Sequence, residues 1–130
     1  SNWVAPLGKN VDEFEKEMTA FIGAKYAAAL VAGTASLHFA VKPCGVKPVD
    51  VVLCSGLIFS ATVNPVSYEG GVQVFVDSKH DTWNMDPAAL ERIFEKYPYP
   101  KAVIVANLCG TPAKLDEIKA ICDTHNVLLI

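Results

Sequence analysis

No run of lysine or arginine occurs anywhere in the chain, and its net charge is −3. A nucleic-acid footprint and a basic membrane-binding face therefore have nothing to rest on. Every apolar stretch is broken by polar residues before the roughly 18 needed to cross a bilayer, and no charged segment followed by an apolar core opens the chain. The protein is expected to be soluble and cytoplasmic. Cys44, Cys54, Cys109 and Cys122 form no CxxC pair, and His38, His80 and His125 lie far apart, so no zinc site is expected. Three of the cysteines sit in or beside apolar segments, where a thiol behaves as a small buried hydrophobe, so free thiols are a better reading than disulfides. GxGxxG and GxxxxGK[ST] are both missing, which weakens NAD-type and NTP-type binding. Internal repeats, low-complexity tracts and linkers are lacking too.

What is present is a hydrophobic fraction of 52% against 19% charged residues over 130 positions, the composition of one compact globular domain with a single core. Asn10 followed by Glu13 is a capping-box-like start, and Val11, Phe14, Met18, Phe21 and Ile22 mark one face of a helix that should run from about Val11 to Ile22, with Gly23 ending it. "YAAALVA" from Tyr26 reads as a short strand, and Ala35 to Val41 as a helix covered on most sides. "VDVVLCS" from Val49 and "VQVFV" from Val72 read as strands. Ser60 to Tyr68 reads as a helix only if it is kinked at Pro65 or begins near it.

Asp86–Pro87 and Thr111–Pro112 each show the cap-and-proline order of a helix start. The first helix carries Leu90, Ile93, Phe94 and Tyr97 on one side; the second carries Leu115, Ile118, Ile121 and Cys122. "KAVIVAN" and the closing "VLLI" complete the strands. Continuous apolar strands alternating with amphipathic helices predict a three-layer α/β/α fold with a mostly parallel sheet, since only such sheets are buried on both faces. Because the chain stops at Ile130 within an apolar strand, it is expected to be a fragment.

Ligands of open parallel sheets bind beyond the carboxyl ends of the strands. Gly33-Thr34-Ala35 falls at such an end and opens a helix, where unpaired N–H groups and the macrodipole favour an anion such as phosphate. The competing reading is a tight strand-to-helix turn. Phe59, just past a strand end, offers a stacking surface to a flat heteroaromatic ligand, or else is ordinary core. Asn107, at the equivalent edge one strand further on, either donates to a ring substituent or satisfies the backbone of "NLCGTP". Asp77 reads as a turn former, His38 as a satisfied interior or interface histidine, and Trp83 and Tyr97 as packing residues.

Taken together, "NWVAPLG…VDEFEKEMTAFIGAKYAAALVAGTASLHFAV", "CSGLIFSATVNPVSYEGGVQVFVD", "TWNMDP" and "NLCGTPAKLDEI" resemble the DegT/DnrJ/EryC1/StrS family of pyridoxal-phosphate-dependent sugar aminotransferases. The resemblance spans essentially the whole chain in the correct order. It implies a type I aminotransferase fold, with residues 1–130 forming part of the large, pyridoxal 5'-phosphate-binding domain and the C-terminal remainder absent. It also implies cofactor phosphate held by backbone groups at Thr34 and Ala35, next to Gly33, and an aromatic ring at Phe59 stacked on the pyridine. Family members are typically homodimers with active sites at the subunit interface. They transfer an amino group, commonly from glutamate, to a nucleotide-linked keto-sugar in sugar-nucleotide or polysaccharide biosynthesis.

The chain departs from the family pattern at "NLCG", where "HLYG" is usual, so that Asn107 replaces a histidine and Cys109 a tyrosine. It departs again at Pro48-Val49-Asp50-Val51-Val52, where "PGDEV" is usual and a turn glycine is lost. The acidic partner of the pyridine nitrogen and the lysine that bonds the cofactor are expected beyond Ile130. On these residues alone, no catalytic side chain is assigned, and two alternatives to transamination stand beside it. One is a sugar dehydratase of the same family, with histidine in place of that lysine. The other is a non-catalytic phosphate-binding module with a doubly wound sheet.

Overall fold

A computed structural model describes residues 7–130, which divide into two compact units meeting at Ala32–Gly33. In the first unit, α1 spans Lys9–Ile22. Its first residue is two positions earlier than the capping box predicts: Gly8 occupies the cap position and no side chain caps the helix, so Asn10 is already helical. Gly23 ends α1 in the left-handed conformation, as its position predicts. The strand expected at "YAAALVA" does not form. An extended segment becomes a strand only with a neighbour to share its backbone bonds. Here Ala29 N–H instead donates to the Glu15 carboxylate at 2.8 Å, and Tyr26 and Val31 are exposed.

The second unit carries α2 (Gly33–Val41), β1 (Val51–Ser55), α3 (Asn64–Tyr68), β2 (Val72–Val76) and α4 (Pro87–Lys96). They are followed by β3 (Ala102–Ile104), α5 (Leu115–Thr124) and β4 (Leu128–Leu129), with 3-10 turns at Lys42–Cys44, Ser60–Thr62 and Leu108–Gly110. All strand pairs are parallel, in the order β2-β1-β3-β4. The chain steps outward from β1 to β2, then returns past β1 to β3 and continues to β4. Right-handed crossovers place helices on opposite faces when the direction of travel reverses. The core obeys this: Val52, Cys54, Ala102 and Ile104 pack with Val41 of α2 and Val66 of α3. Leu53 and Val103 point the other way, onto Leu90 and Phe94 of α4 and Ile118 of α5. The result is the predicted three-layer α/β/α arrangement.

Local signals account for most boundaries. Pro65 opens α3 rather than interrupting a longer helix, and the Asp86 side chain accepts from Ala88 N–H at 3.2 Å, with Pro87 first in α4. Thr111–Pro112 does not start α5. Thr111 closes the preceding turn and α5 begins at Leu115, because backbone groups of residues 111–113 are tied to the Asn84 and Asn107 side chains. Tyr97 packs against the core, whereas Trp83 does not: it is 61% exposed in a left-handed turn. All four cysteines are free, Cys54 and Cys122 buried and Cys109 exposed, and burial pushes the Cys54 thiol up to about 12. No described helix is long and apolar enough to cross a membrane.

The turn into β1 explains why that strand begins at Val51 rather than Val49. Asp50 N–H donates to the Lys47 carbonyl, Lys47 N–H donates to the Asp50 carboxylate at 2.9 Å, and Val49 is held at φ 71°. A β-branched residue pays heavily for this conformation, roughly 1–2 kcal/mol, and Val49 is 81% exposed with no packing to offset it. Val49→Gly is therefore expected to stabilise the protein by about 1 kcal/mol after glycine's extra unfolded-state freedom is subtracted, seen as a raised urea midpoint. In the same measurement Leu53→Ala, which empties a fully buried site on β1, should cost about 2–5 kcal/mol.

Candidate functional site

Strand order reverses between β1 and β3, so the loops leaving their carboxyl ends diverge and open a crevice, the usual ligand position in such sheets. Ser55, 1% exposed, ends β1 at this point, and its Oγ lies 3.4 Å from Ala106 N on the neighbouring loop, which donates to it. Gly56 follows. Its N–H donates to the Val76 carbonyl at 2.9 Å, and a Cβ at Gly56 would lie 2.9 Å from that same oxygen, so only glycine lets the chain turn this close to β2. The loop then presents Phe59 with 77% of its surface exposed, immediately before the Ser60–Thr62 turn. The ring is not core, contrary to the plain packing reading.

That turn packs against α2, the helix whose first residues are Gly33, Thr34 and Ala35. The first-turn amides of any helix lack partners within it. No acidic residue occupies the first turn of α2, and a Cβ at Gly33 would meet nothing within 4 Å among the described residues. Contacts among the described residues therefore do not require glycine at position 33.

On the other side of the reversal, Asn107 begins the Leu108–Gly110 turn. Its Oδ1 accepts from Ala113 N–H at 2.9 Å, so the backbone-satisfying role applies to the carbonyl end. Sequence reasoning missed the residue that builds this loop. Asn84, 2% exposed, accepts from Leu108 N–H at 2.9 Å and donates to the Thr111 carbonyl at 2.9 Å. Its only signal was its place in "TWNMDP", since contacts across 24 and 27 residues leave no local pattern. Asp77 is a turn former as expected, its carboxylate accepting from Ser78 N–H at 2.8 Å. His38 is also partnered: Nε2 lies 2.6 Å from Glu69 Oε1. Hydrogen bonding from His38 holds the Glu69 carboxyl below its ordinary range, with Lys42 adding to the effect. Among the described residues, no group of three or more histidines, cysteines and carboxylates is arranged to hold a metal ion.

The profile of the DegT/DnrJ/EryC1/StrS aminotransferase family matches residues 1–130. The chain belongs to this family. EpsN of Bacillus subtilis (strain 168), a protein named for pyridoxal phosphate-dependent aminotransferase activity, is 48% identical over 134 residues, covering 100% of this chain and 34% of its own length. GDP-perosamine synthase of Caulobacter vibrioides is 35% identical over 130 residues, covering 100% of this chain and 34% of its own. The crystal structure of a DegT/DnrJ/EryC1/StrS aminotransferase from Brucella abortus superimposes with a TM-score of 0.85 at 31% identity, covering 95% of this chain and 34% of that one. The chain thus spans about a third of the length of the DegT/DnrJ/EryC1/StrS relatives it matches. Its parallel sheet and flanking helices are those of the family's aminotransferase fold.

Two outcomes follow from this geometry. Asn84→Ala should cost about 1 kcal/mol or more, because it empties a buried site and removes the partners of the part-buried Leu108 N–H and Thr111 carbonyl, and amide exchange at Leu108 should accelerate. Glu69, with its pKa lowered on folding, adds stability in full above its unfolded value, and that contribution is lost as pH falls through the folded value. A pH series of urea midpoints should therefore fall more steeply below pH of about 4.3 in wild type than in Glu69→Gln.

Proposed function

We propose that the full-length protein containing this chain is a pyridoxal 5'-phosphate-dependent aminotransferase that aminates a nucleotide-linked keto-sugar, with glutamate as amino donor. In this reading it is a cytoplasmic homodimer, and residues 1–130 form the N-terminal part of its large domain. The observation that carries the reading is the pairing of a small-residue helix start with an exposed ring: a Cβ at Gly33 would meet nothing within 4 Å among the described residues, and Phe59 stands 77% exposed at the head of the turn packed on that helix. The donor set suits the cofactor, since an aryl phosphate needs backbone amides free of nearby carboxylates, and the first turn of α2 has none.

Thr34 and Ala35 would hold the phosphate through their N–H groups, with the Thr34 hydroxyl as a further donor. Phe59 would stack on the heteroaromatic ring, and Asn107 would donate from Nδ2 to a ring substituent while Oδ1 keeps its bond to Ala113. When bound, the cofactor supplies the electron sink that lets an amino group pass from donor to keto-sugar. This part of the chain contributes binding and orientation. The sugar assignment is supported by family membership and by relatives such as GDP-perosamine synthase, whose name specifies a nucleotide sugar.

Cofactor titration of the full-length protein tests the site. Ala35→Glu should abolish retention, because a carboxylate would face the phosphate. Phe59→Ala should weaken binding about fivefold, the equivalent of roughly 1 kcal/mol of stacking. Unchanged retention in both variants would place the cofactor elsewhere. Incubation with nucleotide-linked keto-sugars tests the reaction: mass spectrometry should find an amino sugar only when glutamate is supplied, and no product from any such sugar would sink the substrate assignment.

A further inference from the structure

His38 lies one turn beyond the Gly33–Ala35 start of α2, and its polar partner lies just past the end of another helix. Glu69, which follows the last residue of α3, brings Oε1 to 2.6 Å from His38 Nε2, joining positions 31 residues apart. An ionised carboxylate only accepts hydrogen bonds, so Nε2 carries the hydrogen and donates it. Lys42 Nζ approaches the same oxygen at 3.5 Å, and the Tyr68 ring meets the imidazole edge-on with centroids 5.4 Å apart. The Glu69 side chain is 21% exposed and the His38 side chain 38%, so the contact is partly shielded from water.

Burial alone does not require this pair. Leu37, Val41, Val63 and Val66 already form the apolar contact between α2 and the segment from Ser60 to Tyr68. Such contacts set the separation of two elements but are non-directional, and they resist sliding along a helix axis weakly. A short charge-assisted hydrogen bond is directional and fixes a point. The element it fixes α2 against is the continuation of the segment that carries Phe59.

We propose that the His38–Glu69 pair is a positioning clamp: it sets where the start of α2 stands relative to the Phe59 segment, and so tunes how well that start receives a phosphate. This inference rests on the proposed phosphate role of Thr34 and Ala35. Its test uses the full-length protein and two probes, pyridoxamine 5'-phosphate and pyridoxamine, with both dissociation constants measured by calorimetry. Their ratio reads the phosphate contribution alone, which general loosening of the fold would not single out.

His38→Phe keeps a ring against Tyr68 and removes the bond. It should lower the ratio about five- to tenfold, as should Glu69→Ala, and the double variant should lose no more than either single one. Glu69→Gln, which keeps an acceptor oxygen for Nε2–H, should retain most of the ratio. If Glu69→Ala does not fold, His38→Phe carries the same comparison. An unchanged ratio in His38→Phe, or an equal loss of affinity for both probes, would overturn the clamp while leaving the phosphate site standing. A wild-type protein that binds both probes equally well would overturn the phosphate site and the clamp with it.

Discussion

The ladder between β1 and β3 is the constraint on which the site depends. Val52, Leu53 and Cys54 pair in parallel with Ala102, Val103 and Ile104, although β2 and α4 lie between them in the chain. Because both strands are buried on both faces, each crossover must bring a helix back over the sheet, and the reversal of direction sends α4 to the face opposite α3. The two loops that leave this central pair have no strand between them. Phe59 and Asn107 therefore stand on the loops that leave the two strands of the reversal, and α2 packs against the Phe59 side through the Ser60–Thr62 turn.

Within this scaffold the loops are placed by a few directional bonds rather than by apolar contact. Ser55 reaches Ala106, Asn84 holds Leu108 and Thr111, and Asn107 holds Ala113. Each of these side chains satisfies backbone groups that would otherwise be costly to bury. The same division of labour recurs on the other side of the crevice, where the apolar contacts of α2 set its distance from the sheet and the His38–Glu69 bond supplies a point of attachment.

The departures from the family pattern acquire physical content in this structure. Where a turn glycine is expected from the family resemblance, Val49 adopts a left-handed conformation alongside the Lys47–Asp50 bonds, so the strain is borne by valine. Cys109, where tyrosine is usual, also sits at positive φ, followed by Gly110 in the same region, and its thiol is exposed. Asn107, where histidine is usual, spends its carbonyl on the loop.

Much of the architecture was legible in the chain. Apolar runs at 51–55, 72–76 and 102–104, the Asp86–Pro87 start of α4 and the position of Pro65 all act through neighbours within a few residues, and the structure follows them. The same patterns misled where a distant group intervened. "YAAALVA" has the composition of a strand but forms none among the described residues, and Thr111–Pro112 has the form of a helix start but is tied to Asn84 and Asn107 instead. At the candidate site, Gly33–Ala35 and Phe59 could be proposed from the chain because small residues at a helix start and a ring past a strand end are local features. Asn84 and the pairing of His38 with Glu69 were not, for they arise only when strand order brings segments 24 to 31 residues apart together. Sequence by itself determined the elements and their layers, since these depend on periodicity and short-range capping. Tertiary structure alone decided which polar side chains meet, because a directional bond exists only once both of its ends have been carried to the same place.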